Sequence, residues 1–113
     1  MLLIAAGATA APAAARRVSD ETELSNLFTD RELSDSMHYV YQFKRDGRLG
    51  GEEMGRSVQG QWQIKDHSMC LNWSLPAGVR ECYEVRVAGQ EVQLRRHGRE
   101  MYFGTLAPLK PLR

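Results

Sequence analysis

The feature that most constrains this chain is a two-residue apolar alternation that restarts after short turns between Met37 and Leu106. Met37, Tyr39, Tyr41 and Phe43 alternate with His38, Val40 and Gln42, which is the pattern of a half-buried strand. Asp46-Gly47 then supplies a tight turn. Trp62 and Ile64 form the inner face of a later strand, closed by a turn over 65–68. Met69, Leu71 and Trp73 follow on one face, with Cys70 and Asn72 on the other. A turn over 75–78 leads to Tyr83, Val85 and Val87 facing inward and Cys82, Glu84 and Arg86 facing outward. Ala88-Gly89 turns into Val92 and Leu94, and His97-Gly98 into a strand over 101–106. Pro108 and Pro111 end the pattern, because proline cannot donate to a ladder. The glycine-rich stretch 50–55 packs poorly as a strand and is expected to be a mobile loop.

A mainly β fold follows, of about seven strands joined by short turns, the signature of an antiparallel up-and-down meander. A flat sheet of that width leaves an apolar face wet, so the meander is expected to curl into a small barrel or half-barrel. One short N-terminal helix completes it. Ser19 is placed to cap that helix, and Asp20, Glu21 and Glu23 suit its positive end. Leu24, Leu27 and Phe28 form one apolar stripe to lay on the sheet. The expected division is an export-signal remnant over 1–15, helix and loop over 16–36, the β domain over 37–107 and a tail over 108–113.

The two cysteines test the strand register. If Cys70 faces Cys82, then Met69 faces Tyr83 and Trp73 faces Val79, both apolar pairs on the inner face. A disulfide there closes a loop worth roughly 3 kcal/mol in the chain-entropy account. The same register turns Glu81 inward opposite Leu71, so Glu81 is either a bulge residue or a buried carboxylate needing a partner.

The residues before Arg16 read MLLIAAGATAAPAAA, apolar then small, and carry no charge. That is the h-region and cleavage region of a secretory signal, with Ala13-Ala14-Ala15 as the leading site and Ala8-Thr9-Ala10 as a second. No Lys or Arg precedes the apolar run, so either the true start is expected upstream or leading residues have been trimmed away. A periplasmic or secreted protein is therefore expected, a compartment in which two cysteines outside any zinc or CxxC spacing would be joined. No stretch approaches the ~20 apolar residues of a transmembrane helix.

Fifteen basic and fourteen acidic residues leave a net charge of +1, which gives no footprint for nucleic acid. Twelve of the bases are arginine, the residue of bidentate contacts. Arg95, Arg96 and Arg99 flank a hairpin tip and form a candidate binding surface for an anionic partner.

A short acidic helix, an aromatic strand ending in Asp46-Gly47-Arg48, then Gly60-Gln61-Trp62, Cys70-Leu71-Asn72-Trp73 and Glu81-Cys82-Tyr83-Glu84-Val85 follow in order. This series resembles a family of small secreted proteobacterial β domains of unknown function, seen mostly in alphaproteobacteria. The resemblance spans roughly Asp20 to Leu106, and its most specific part is the Gly-x-Trp, Cys-x-x-Trp and Cys-Tyr spacing. It implies export, a small β fold and a disulfide, and it supplies no catalytic residues. Gly60-x-Trp62 is also similar to the lipocalin signature, but there the motif opens the first strand.

No catalytic constellation stands out. His38, His67 and His97 share no metal-ligand spacing, there is no Gly-x-Ser-x-Gly, and a disulfide leaves no free thiol. Neither an enzyme, a metal nor a cofactor is expected. The aromatic residues Tyr39, Tyr41, Trp62, Trp73 and Tyr83 are the candidate ligand-facing set, although Trp62 and Trp73 are expected mainly to fill the core. The leading expectation is a non-enzymatic periplasmic module that binds an unidentified protein or envelope component. The alternatives are a carrier of a small apolar ligand in the aromatic interior, and an inhibitor of a cell-wall hydrolase. A carrier requires a cavity of a few hundred Å³.

Overall fold

In a computed structural model, which describes residues 14–111, the alternation becomes nine strands and one helix. The elements are β1 (Arg16–Val18), α1 (Glu21–Phe28), β2 (Arg31–Ser34), β3 (Tyr39–Phe43), β4 (Arg48–Glu53), β5 (Arg56–Lys65), β6 (Ser68–Trp73), β7 (Arg80–Ala88), β8 (Glu91–Arg96) and β9 (Arg99–Pro108). Each strand from β2 to β9 pairs antiparallel with the next, and β2 also pairs with β9. The circuit closes into an eight-stranded up-and-down barrel, which leaves none of those strands with a long free edge. The short β1 lies against 85–87 of β7, beyond the end of β6. The expected export signal lies outside the described residues except for its last two alanines.

Period two sets the inner face. Phe43, Tyr41, Leu49, Trp62, Met69, Leu71, Tyr83, Val85, Val92, Leu94 and Leu106 are buried in one core. Inward positions 51, 60 and 104 are glycines, because a side chain there has no room. A Cβ on Gly51 would sit 2.0 Å from the Val40 carbonyl oxygen, and one on Gly60 2.2 Å from that of Asn72. These close approaches let a small barrel bend tightly around its aromatic filling.

The helix closes one end. Asp20, not Ser19, caps it by accepting from the Glu23 amide, and Leu24 and Phe28 point into the barrel. Phe28 meets Phe43 edge-on at 5.0 Å and lies 6.5 Å from Trp62. The β5–β6 turn is tied to the helix start, where the His67 amide donates to Glu21 and the His67 ring bonds the Ser19 carbonyl.

Three local expectations are corrected. Residues 29–36, expected as loop, contain β2, because closure needs a strand between β3 and β9. Glycine-rich 50–55 is not a mobile loop: β4 runs through it as far as Glu53, and the turn is only Met54-Gly55. Met37 does not begin an inner face but stands 80% exposed, since the strand starts at Tyr39. Gln42 points outward yet is buried, because the C-terminal segment crosses it. Its amide donates to the Lys110 carbonyl, and the Lys110 amide donates to Glu32.

Cys70 and Cys82 face each other, bonded, with Cα atoms 4.0 Å apart. Met69 pairs with Tyr83 and Leu71 with Glu81, as the sequence register requires. The Trp73 amide continues the ladder by donating to the Val79 carbonyl.

Candidate functional site: the open mouth of the barrel

In an up-and-down barrel alternate turns gather at alternate ends. The turns after β3, β5 and β7 lie with α1 at the closed end. Those after β2, β4, β6 and β8 surround the other, where no helix sits. At that end the interior opens into a cavity of about 410 Å³ lined by Glu53, Ser57, Val58, Gln59, Trp73, Ser74, Leu75, Glu81 and Tyr102. A shallower hollow of about 240 Å³ adjoins it, sharing Glu53 and Tyr102 and adding His38, Tyr39 and Tyr41.

All four tyrosines of the chain meet here. Tyr39 and Tyr41 stack at 4.7 Å, and Tyr102 stands edge-on to Tyr39, Tyr41 and Tyr83 at 5.5, 5.6 and 5.7 Å. Trp73 leans on Tyr41 at 5.2 Å. The strands deliver these rings by the same parity that fills the core one layer below. What changes toward the mouth is chemistry, because the inward residues become phenols and carboxylates.

The hydroxyls are organised. Tyr41 donates to Glu53, Tyr83 donates to Glu81, and Tyr39 donates to the Phe103 carbonyl. The Tyr102 ring meets those of both Tyr41 and Tyr83. Two phenol–carboxylate pairs, Tyr41 with Glu53 and Tyr83 with Glu81, thus flank the aromatic cluster. Glu81 is the inward carboxylate the register requires, and its partners are Tyr83 and, at 3.4 Å, the Arg96 guanidinium. Burial first, and then Glu53 or Glu81 beside the hydroxyl, push the Tyr41 and Tyr83 phenols far above their ordinary value. Burial likewise raises Tyr39, with Asp35 adding to it, and raises Tyr102. All four remain neutral phenols across the physiological range.

The rim is apolar and exposed. Met37, Met54, Leu75 and Val79 project from the β2–β3, β4–β5 and β6–β7 turns, Leu75 with 87% of its surface free. In the β2–β3 turn Asp35 takes the amides of Met37, His38 and Tyr39 and pairs with the His38 ring at 2.7 Å. Burial alone would raise the Asp35 carboxyl, but those amides together hold it well below the usual range.

The structure brings together Tyr39, Tyr41, Trp73 and Tyr83 of the candidate aromatic set. Trp62 is not among them. It lies at the closed end against Phe43 at 5.6 Å, its indole donating to the Lys44 carbonyl at 2.8 Å. Trp73, expected to fill the core, is half-buried and walls the cavity, because β6 ends at the mouth. Glu53 and Tyr102 are site residues that the sequence reading passed over. Parity with Gly51 and with Gly104 and Leu106 marks both as inward, once 50–55 is recognised as strand.

Arg95 and Arg96 line a separate outer groove of about 580 Å³ together with Lys65, Arg80 and His97, and with Asp66 and Glu84 as acids. Arg99 stands exposed across the hairpin, opposite Arg96 in the ladder. Among the described residues, no group of three His, Cys, Asp or Glu side chains is placed to hold a metal ion, and no helix is long and apolar enough to cross a membrane.

No family model, curated protein or solved structure matches this chain.

Proposed function

We propose that this protein is a non-enzymatic binding barrel that takes a small ligand into its open mouth. One observation carries the reading: a cavity of about 410 Å³ at the unplugged end, bordered by the rings of Trp73 from β6 and Tyr102 from β9, with Tyr39 and Tyr41 of β3 lining the smaller hollow beside it. That volume lies within the range of small-molecule sites and toward its lower end. Phe28, Phe43 and Trp62 fill the barrel interior beneath the helix, so the ligand occupies the outer half of the interior. Rigid rings on strands make a preorganised wall, which lowers the entropic cost of binding. The carrier alternative therefore takes precedence over binding through an outer face. The apolar leader-like stretch before Arg16 and the Cys70–Cys82 bond support a periplasmic or secreted location.

The test is to plug the mouth. Val58→Trp places a large ring in the cavity, and wild-type and variant proteins are incubated with a small-molecule extract of cell envelopes. Mass spectrometry of the retained fraction should show species held by wild type and lost from Val58→Trp. Identical retention profiles for the two folded proteins would overturn the reading.

The outer groove favours a second reading, binding of an anionic protein or envelope partner, because Lys65, Arg80, Arg95 and Arg96 converge there. Charge reversal of Arg80 and Arg95 should abolish such an interaction while leaving the mouth unaffected.

A further inference from the structure

Resting on the reading of the mouth as a ligand site, we propose that the group it receives is an ammonium cation, seated against the aromatic rings with Glu53 as its counter-charge.

The protons of the Tyr39, Tyr41 and Tyr83 hydroxyls are directed to the Phe103 carbonyl, Glu53 and Glu81. Each phenol has one proton to give, so Tyr39, Tyr41 and Tyr83 keep no hydroxyl proton for a guest. The two charged side chains lining the main cavity are both carboxylates. Arg96 offsets Glu81 at 3.4 Å, whereas Glu53 has no cationic partner among the described residues.

An anion entering this mouth would meet carboxylates and the negative faces of aromatic rings. A neutral apolar group would gain the rings but leave Glu53 without a counter-charge in a partly desolvated hollow. A cation gains from both, since ring quadrupoles and a carboxylate attract it together. The rings that border the main cavity are those of Trp73 and Tyr102. Tyr102 stands edge-on to Tyr39, Tyr41 and Tyr83, which sets its ring across theirs.

Choline and its neutral isostere 3,3-dimethylbutan-1-ol have nearly the same shape and differ by one charge. Isothermal titration of the wild-type protein should show choline binding at least tenfold more tightly than the isostere. Glu53→Gln keeps an acceptor for the Tyr41 hydroxyl but removes the charge. It should weaken choline at least tenfold without weakening the isostere, with circular dichroism confirming that the variant is folded. Equal affinities for the two probes, or a Glu53→Gln protein that binds choline like wild type, would overturn the cation assignment. Either result leaves the mouth itself standing as a site. Failure of wild type to bind choline at all also overturns it, and the retention comparison with Val58→Trp then decides the mouth separately.

Discussion

Trp62 and Trp73 lie on adjacent strands and both face inward, yet the barrel gives them different work, and truncating each to alanine separates the two roles. Trp62 is 8% exposed, packs against Phe28 and Phe43, and uses its indole N–H on the Lys44 carbonyl. Removing a ring so enclosed leaves a cavity that rigid strands and a capped helix cannot collapse. The expected loss is about 3–5 kcal/mol, at the upper end because a hydrogen bond goes with it. For a domain of this size that lowers the melting temperature by roughly 4–8 °C per kcal/mol, so at least ~12 °C in all. Trp73 already borders the cavity, so its loss widens an existing space and leaves fewer contacts unmade. About 1–2 kcal/mol is expected there, together with loss of whatever the mouth retains. The assay is thermal unfolding followed by circular dichroism for wild type, Trp62→Ala and Trp73→Ala in one buffer. If Trp62→Ala melts within a few degrees of wild type, or if Trp73→Ala falls as far as Trp62→Ala, the division into a packed end and an open end is wrong.

The remaining predictions concern other parts of the same frame. Replacing Cys70 and Cys82 by serine together should cost about 3 kcal/mol, and alkylation of the unfolded wild-type protein without reductant should find no free thiol. Gly51→Ala should destabilise strongly, since φ is +152° and a Cβ would strike the Val40 carbonyl, whereas Gly50→Ala, with nothing within 4 Å, should be tolerated; matching melting temperatures for the two would refute this. The four tyrosines are raised above their ordinary value of 10.0 in the folded state, so unfolded phenols lose protons first and stability falls as pH rises beyond that point. Absorbance near 295 nm should therefore stay low until the protein unfolds and then rise in one cooperative step; gradual ionisation near pH 10 with the fold intact would contradict the buried network.

The sequence by itself determined the strands from β5 to β9, the turns between them and the partner of each cysteine. Those features depend on neighbours in the chain or across one hairpin, and period-two alternation with Gly- and Asp-bearing turns specifies them locally. Glu81 shows the reach of that logic, since the Cys70–Cys82 register alone turned it inward and required a partner. The strand at Arg31–Ser34 was illegible because its polar run is stabilised by pairing with β3 and β9 and by the C-terminal segment over Glu32. Glycine-rich β4 was illegible for the opposite reason. The trait that reads as flexibility in isolation is what allows the Tyr41 backbone to approach Gly51 in a curved barrel. Only tertiary structure decided the mouth. Tyr41 holds Glu53, Tyr83 holds Glu81, and the Tyr102 ring meets both tyrosines, from strands that closure of the barrel sets face to face. Alternation states that a side chain points inward, but not at what height in the barrel it lies or which distant strand it meets; those depend on tilt and stagger, properties of the closed sheet and of no single segment.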